Sequence, residues 1–430
     1  MLTGLTAALV AALLVALPQH KVAATMGLLF QPPNCTELSL EQWLSNRGCD
    51  PQRGVRIRLK CERVRQLLAE DMGLQYKGEE EEDLEWSCIE GDILLNEEQL
   101  DVLEQQLMQR LVSFNNHTKA PFWPTHGRHK RKIYNFYKFP VHRWPVEDGP
   151  IVYKIAGSVE KAEFIRSAIK LWEEKTCVRF WEISVSQQFH QPHILFSSVV
   201  SYTCMSNVGR ENTQIPQPII LGLSCFADPV VIAHEIGHAL GLFHEHQRSD
   251  RDSFIKVVTS NIMYGAEPYF STVSDTLQTL GVEYDLASVM HYSSWAFSKK
   301  NQPTILTREP LMQRTIGQRV ELSFLDYKII NRAYCQKVCK RGPRQRCENG
   351  GYQNPNQCER CLCPDGWGGN FCTRVAPHSG ISSKYFRKTY ESLQGCLSAC
   401  EDVYQGYDIP ASGCLKFKLH ISPKVFEMES

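Results

Sequence analysis

The stretch HEIGHALGLFHEHQRSDRD, residues 234–252, places three histidines and a glutamate at a spacing that decides how the rest of the chain is read. Asp228 followed by Pro229 is a helix entry, with the Asp as N-cap and the Pro at the first helical position, where its missing N–H costs nothing. On the helix so begun, His234 and His238 are four residues apart, on one face and close enough for their ring nitrogens to hold one ion. Gly241 supplies the positive φ that ends a helix and turns the chain back, which lets His244 approach as a third ligand. Three protein ligands leave a fourth position for water, the arrangement of a catalytic zinc site with one Zn²⁺. Such an ion lowers the pKa of its water from ~15.7 to roughly 7 and polarises a carbonyl. Glu235 is then the candidate general base, taking the proton and passing it to a leaving amine. Two plainer readings exist, ordinary histidines on a half-buried helix and a purely structural zinc. An open fourth position and an adjacent glutamate do not suit the second.

The pattern His-Glu-x-x-His-x-x-Gly-x-x-His, followed by Glu245, Arg248, Asp250 and Arg251, resembles the metzincin metalloproteases and, within them, the astacin family. The run Ser288-Val289-Met290-His291-Tyr292 is similar to that family's Met-turn. The resemblance implies that Met290 lies beneath the zinc and that Tyr292 is a further, mobile zinc ligand able to swing to the transition-state oxyanion. Taken alone, Met290 reads as core filler and Tyr292 as a buried tyrosine with a satisfied hydroxyl. The resemblance further implies disulfides pairing Cys177 with Cys335 and Cys204 with Cys225, a substrate-binding edge strand over residues 202–210, and a new N-terminal ammonium buried near Glu245 in the mature enzyme. Met205 and Asn207 stand where the family often has aromatics, so subsite preference does not transfer.

The chain has 430 residues, 43% of them hydrophobic, which bounds it to two to four globular domains. Lys plus Arg equals Asp plus Glu, at 47 each, so net charge suggests neither a nucleic-acid partner nor a general attraction to membranes. Residues 2–17 are apolar and uncharged, with Pro18 and the small Val22-Ala23-Ala24 behind them, so residues 1–24 read as a secretory signal peptide. The stretch before the apolar run has no Lys or Arg, and a signal anchor or a misplaced start codon are the alternatives. No later stretch is long and apolar enough to span a bilayer, so a secreted, extracellular mature chain without a membrane span is expected. Seventeen cysteines agree with an oxidising compartment, and Asn34 and Asn116 are glycosylation acceptors.

Residues 25–131 form a charge-rich unit holding Cys35, Cys49, Cys61 and Cys88 and an acidic run at 79–83. A helix is predicted over residues 96–114, with Asn96 as N-cap, Gln99 at the box position, and Leu100, Leu103, Leu107 and Leu111 in one stripe. The basic cluster at residues 128–132 is an exposed target for a processing protease, a polyanion-binding patch being the alternative. Its Arg-x-Lys-Arg resembles a furin-type site, which makes Arg131 the processing position and residues 25–131 a propeptide. By the same family resemblance, Ile89-Glu90-Gly91-Asp92 is similar to a latency motif whose Asp binds the zinc in place of water. Asp92 is then the zymogen zinc ligand, although the family has Phe where Ile89 stands, and Glu-Gly-Asp by itself is a common turn. A thiolate block by Cys88 is the weaker alternative, because nearby cysteines can pair with it.

For residues 132–335 the pattern predicts an α+β domain with a twisted mixed sheet and the active-site helix. A strand is read at 151–155, a helix at 158–175 capped by Ser158 with Phe164, Ala168, Leu171 and Trp172 on its apolar side, and strands at 178–183, 193–199 and 219–223. An amphipathic stretch at 322–334 runs up to Cys335. Cys339, Cys347, Cys358, Cys361, Cys363 and Cys372 then form a cluster with Gly366, Gly368 and Gly369 before the last, which reads as an EGF-like module over 336–374 without a calcium-binding entry sequence. Residues 375–430 are a tail of unknown fold. Family members commonly carry a CUB domain here, but the tail is too short for a full β-sandwich of about 100 residues, and its Cys396, Cys400 and Cys414 are an odd number. The function expected is a secreted zinc endopeptidase made as a zymogen, whose partners are a processing protease and extracellular protein or peptide substrates. The competing reading is a catalytically inert extracellular binding protein that uses the EGF-like module and tail; every catalytic position named above is present, which argues against it.

Overall fold

The computed structural model describes residues 51–71, 92–115, 132–156, 159–199, 202–211, 216–272, 277–299, 301–339 and 346–376. The readings made for residues 1–24, Asn34, Cys35, Cys49, Cys88, Asn116, Arg131, Ser158 and 377–430 lie outside these residues.

Helix α1 (Pro51–Asp71) is followed by the short strand β1 (Ile93–Leu94) and helix α2 (Glu97–Asn115). Asn96 caps α2 reciprocally: Gln99 N donates to Asn96 Oδ1 at 2.8 Å, and Asn96 N donates to Gln99 Oε1 at 3.0 Å. Leu100, Leu103 and Leu107 are buried, together with Ile57, Val64, Leu67 and Leu68 of α1. The two helices run parallel, because Arg56, Lys60 and Arg63 meet Glu97, Asp101 and Glu104 in the same order. Nothing in the sequence reading anticipated α1. Its apolar residues alternate with arginines, and the helix is held by packing on α2.

The chain continues through β2 (Ile133–Tyr134), β3 (Ile151–Ile155), α3 (Val159–Lys175), β4 (Phe180–Glu182), β5 (Ile194–Ser198), β6 (Cys204–Asn207), β7 (Gln217–Leu221) and α4 (Pro229–Ala239). A six-stranded sheet takes the order β1-β6-β7-β5-β3-β4, mixed in sense: β6 is antiparallel to β7, and the other pairs are parallel. Every residue of β7 is buried, as a parallel strand covered on both faces requires. Trp172 on α3 donates its indole N–H to Ala233 O on α4 at 2.9 Å, which locks the two helices together. Within residues 132–335, β6 is the edge strand of this sheet, and β1 from the preceding unit pairs with it, Ile93 opposite Ser206 and Leu94 opposite Asn207.

Beyond α4 the chain is more irregular. Strand β8 (Ile255–Val257) pairs with β10 (Ile305–Thr307), and β9 (Leu277–Gln278) pairs with β2, around a second core of Ile255, Tyr269, Phe270, Tyr284, Tyr292 and Ile305. Helix α5 (Phe324–Tyr334) opens with a capping box of Ser323 and Asp326 and ends at Cys335, which is bonded to Cys177. A bridge closing so long a loop stabilises by about 3–5 kcal/mol on the chain-entropy model. Cys204 is bonded to Cys225. The last described unit holds two hairpins, β11 (Tyr352–Asn354) with β12 (Gln357–Leu362) and β13 (Trp367–Gly368) with β14 (Arg374–Val375). Disulfides Cys339–Cys358, Cys347–Cys361 and Cys363–Cys372 staple it. It docks on the back of the domain, where Asn356 donates to Glu174 O and Lys328 to Gly350 O, both at 2.9 Å. Among the described residues, no helix is long and apolar enough to cross a membrane.

Candidate metal centre

Asp228 caps α4 by accepting from Val230 N at 2.8 Å, with Pro229 at the first position. The buried helix ends at Gly241, whose φ of 100° reverses the chain. A Cβ there would lie 2.6 Å from the Phe136 ring, so both conformation and space call for glycine. The reversal returns His244 to the face carrying His234 and His238.

The Nε2 atom of His234 is 3.1 Å from that of His238 and 3.3 Å from that of His244. These separations are close to the edge of a tetrahedron with ~2.0–2.1 Å metal–nitrogen bonds, which is about 3.3 Å. His234 Nδ1 donates to Val289 O at 2.7 Å, and His238 Nδ1 donates to Leu242 O at 2.8 Å. With their protons on Nδ1, these two rings turn bare Nε2 lone pairs toward the common point. Asp92 Oδ2 faces the same point, 3.2 Å from His234 Nε2, 3.1 Å from His244 Nε2 and 3.9 Å from His238 Nε2. Lone pairs and a carboxylate crowded this way repel one another unless a cation sits between them, so the donor set fits zinc.

Burial, followed by the charge of Arg319, pulls His234 down to about 4, which keeps its ring neutral and able to ligate. Burial alone would raise Asp92, but hydrogen bonding to His234 and His238 outweighs it and holds the carboxyl well below the usual range. Glu235 is buried beside this cluster. Burial first, and the Asp92 charge second, push its carboxyl well above the ordinary value. Its Oε2 has no hydrogen-bond partner among the described residues.

The floor comes from residues 288–292. A Cβ on Gly237 would meet Met290 Sδ at 2.9 Å, so the glycine lets Met290 press against α4 directly below the histidines. The Tyr292 ring lies 4.5 Å from that of His244 and stacks on His246 at 4.0 Å. Glu245 N donates to Met290 O at 2.8 Å, joining the third-histidine segment to this floor. Arg248 grips both Asp250 oxygens, at 2.9 and 3.0 Å, and donates to Glu245 at 3.1 Å.

Sequence reasoning missed two groups here. His291 donates through Nδ1 to Tyr292 O and accepts the Tyr284 hydroxyl on Nε2, which fixes the floor from below. Lys132, read only as the end of a basic cluster, is completely buried, with Nζ 3.2 Å from Glu245 Oε2 and 2.8 Å from Asp326 Oδ1. No local signal separates it from the basic residues before it.

A mixed sheet over a helix carrying two of three convergent histidines, with a glutamate between them, defines a zinc metallopeptidase domain. Residues 136–335 match the family model described as Astacin (Peptidase family M12A). Residues 136–335 thus form an astacin-family domain. The chain is 37% identical over 294 residues to zinc metalloproteinase nas-34 of Caenorhabditis elegans, covering 67% of this chain and 46% of that protein. It is 42% identical over 228 residues to zinc metalloproteinase nas-36 of the same organism, covering 52% of this chain and 36% of that protein. The chain thus spans less than half the length of these relatives. Among solved structures, high choriolytic enzyme 1, a hatching enzyme zinc-protease of Oryzias latipes, is 29% identical, with a TM-score of 0.39, over 45% of this chain and 94% of that one.

Proposed function

We propose that this chain is a secreted zymogen of a zinc endopeptidase that hydrolyses peptide bonds of extracellular proteins. The observation carrying the proposal is the convergence of His234, His238 and His244 on one point beside the buried Glu235. Zinc held there supplies Lewis acidity toward a water and a peptide carbonyl. Glu235 takes the proton of the water as its oxygen bonds to the carbonyl carbon, and returns a proton to the amide nitrogen as the C–N bond breaks. The Tyr292 hydroxyl donates to the oxyanion that develops on the carbonyl oxygen. Met290 supports the ligand rings from beneath.

Latency rests on residues 25–131. Asp92 occupies the position a substrate carbonyl or water needs, and β1 fills the edge of β6 along which an extended substrate would add. Two contacts support this reading: Ser206 N donates to Asp92 O at 2.9 Å, and Asn207 Nδ2 donates to Leu94 O at 3.2 Å. A processing protease cutting after Arg131 releases the block. The disulfides of residues 339–372, two of them interlaced and the third following, and their hairpins support an EGF-like spacer behind the catalytic domain. Metal analysis of the purified chain tests the central part of the proposal. One zinc per chain is expected, with peptidase activity of the processed form lost to chelator and restored by zinc; a processed chain that binds no zinc contradicts it.

A further inference from the structure

Lys132 is the last residue of the basic cluster, and its side chain is wholly enclosed. A lysine is buried this deeply only when its charge is matched. Around Nζ stand Asp326 Oδ1 at 2.8 Å, Glu245 Oε2 and Ser288 Oγ at 3.2 Å, and Asp285 Oδ2 at 3.9 Å. The backbone is equally fixed: Lys132 N donates to Gln278 O at 3.0 Å, and Phe243 N donates to Lys132 O at 3.1 Å.

Two of these carboxylates, Glu245 and Asp326, lead to a histidine. Glu245 directly follows His244 in the chain. Asp326 Oδ2 accepts from Val289 N at 3.0 Å, and Val289 O accepts from His234 Nδ1 at 2.7 Å. Ser288 Oγ joins the same knot, donating to Asp326 Oδ1 at 2.6 Å and accepting from Met290 N at 3.0 Å. Among the described residues, the other hydrogen-bond donors to the Asp326 carboxylate are neutral: Ser288 Oγ, Val289 N and Ser323 N.

We infer that Lys132 is a positioning residue whose buried ammonium holds Glu245 and Asp326, and through them His244 and His234, so that the histidine cage is assembled before the chain is cut. Latency is then entirely a matter of Asp92 and β1 blocking a finished site. A cut after Arg131 would leave Lys132 as the first residue with its side chain already seated. The inference rests on the zinc reading given above.

The test uses the uncut full-length chain loaded with Co²⁺, comparing wild type, Lys132→Met, and Lys132→Met combined with Glu245→Gln. Visible absorption reports ligand geometry, and competition with a chelator reports affinity. Lys132→Met is expected to weaken metal retention about 10- to 100-fold and change the spectrum, as loss of an outer-shell partner does, and Glu245→Gln is expected to restore part of both. Unchanged affinity and spectrum in Lys132→Met would overturn the inference while leaving the zinc reading intact; a wild-type chain that binds no metal would remove both. Amine acetylation followed by mass spectrometry adds a measurement independent of whether the variants fold. In the uncut wild type, exposed Lys138 should react and Lys132 should not; equal reactivity would show that Lys132 seats only after cutting and would overturn the inference.

Discussion

Tyr292 and Asp285 show how much a single side chain contributes at this site. Tyr292 is placed by its stack on His246 and its contact with His244, and its hydroxyl has the proposed role of oxyanion donor. Tyr292→Phe keeps the ring and removes the donor. Steady-state kinetics on the processed chain should show kcat reduced by about 10²-fold with KM little changed, as for loss of one oxyanion donor. Asp285 belongs to the cluster beneath the site, where burial, aided by the charges of Asp326 and Glu245 and opposed by that of Lys132, pushes its carboxyl up to about 7. Its unfolded-state value is near the ordinary 3.8. Between these limits the folded state binds more protons than the unfolded one, so this group's contribution is fully present below the lower value and is lost as pH rises through about 7. Unfolding midpoints of the wild type should therefore fall relative to those of Asp285→Asn as pH rises from 5 to 8; parallel curves would contradict the assignment. The convergence of His234, His238 and His244 was legible in the sequence because the spacing has a geometric meaning on a helix and at the Gly241 turn behind it. Lys132 was not, because burial of a lysine is decided by carboxylates 113 and more residues away.

Among the elements, α4 was readable end to end. Asp228, Pro229 and Gly241 are start and stop signals with a local mechanism, and the helix spans Pro229–Ala239. The strand at Ile151–Ile155 was read with its observed bounds, while those read at 193–199 and 219–223 are Ile194–Ser198 and Gln217–Leu221. These small shifts arise because strand ends are set by which partner residues are available to bond. The two-residue β1 has no sequence signature of its own; it exists because β6 offers an edge. The Gly241 turn yields a prediction of its own. Gly241→Ala requires a side chain at φ 100° and drives its Cβ into Phe136. Denaturant unfolding should show a loss of about 1–3 kcal/mol, with fewer metal-loaded molecules because His244 is displaced.

At the scale of the whole molecule, helices α1 and α2, the sheet and the histidine floor share one hydrophobic core, with Leu100 and Leu103 in the same cluster as Ile232 and Met290. The segment proposed to be inhibitory is therefore folded onto the domain, and two separate devices are proposed to close the site, a carboxylate at the metal position and a strand on the sheet edge. Asp92→Ala removes only the first. Assayed uncut on a short peptide, it should show activity above the uncut wild type yet below the processed chain, since β1 still covers β6. Equal activity in the variant and the uncut wild type would mean that Asp92 contributes nothing to latency. The most direct test of the account as a whole is an endoproteolysis assay of the chain cut after Arg131 on a proteome-derived peptide library, alongside Glu235→Ala and a chelator control. Cleavage of internal peptide bonds that is lost in both controls is the predicted result. A processed chain that holds zinc and cuts nothing would contradict the account.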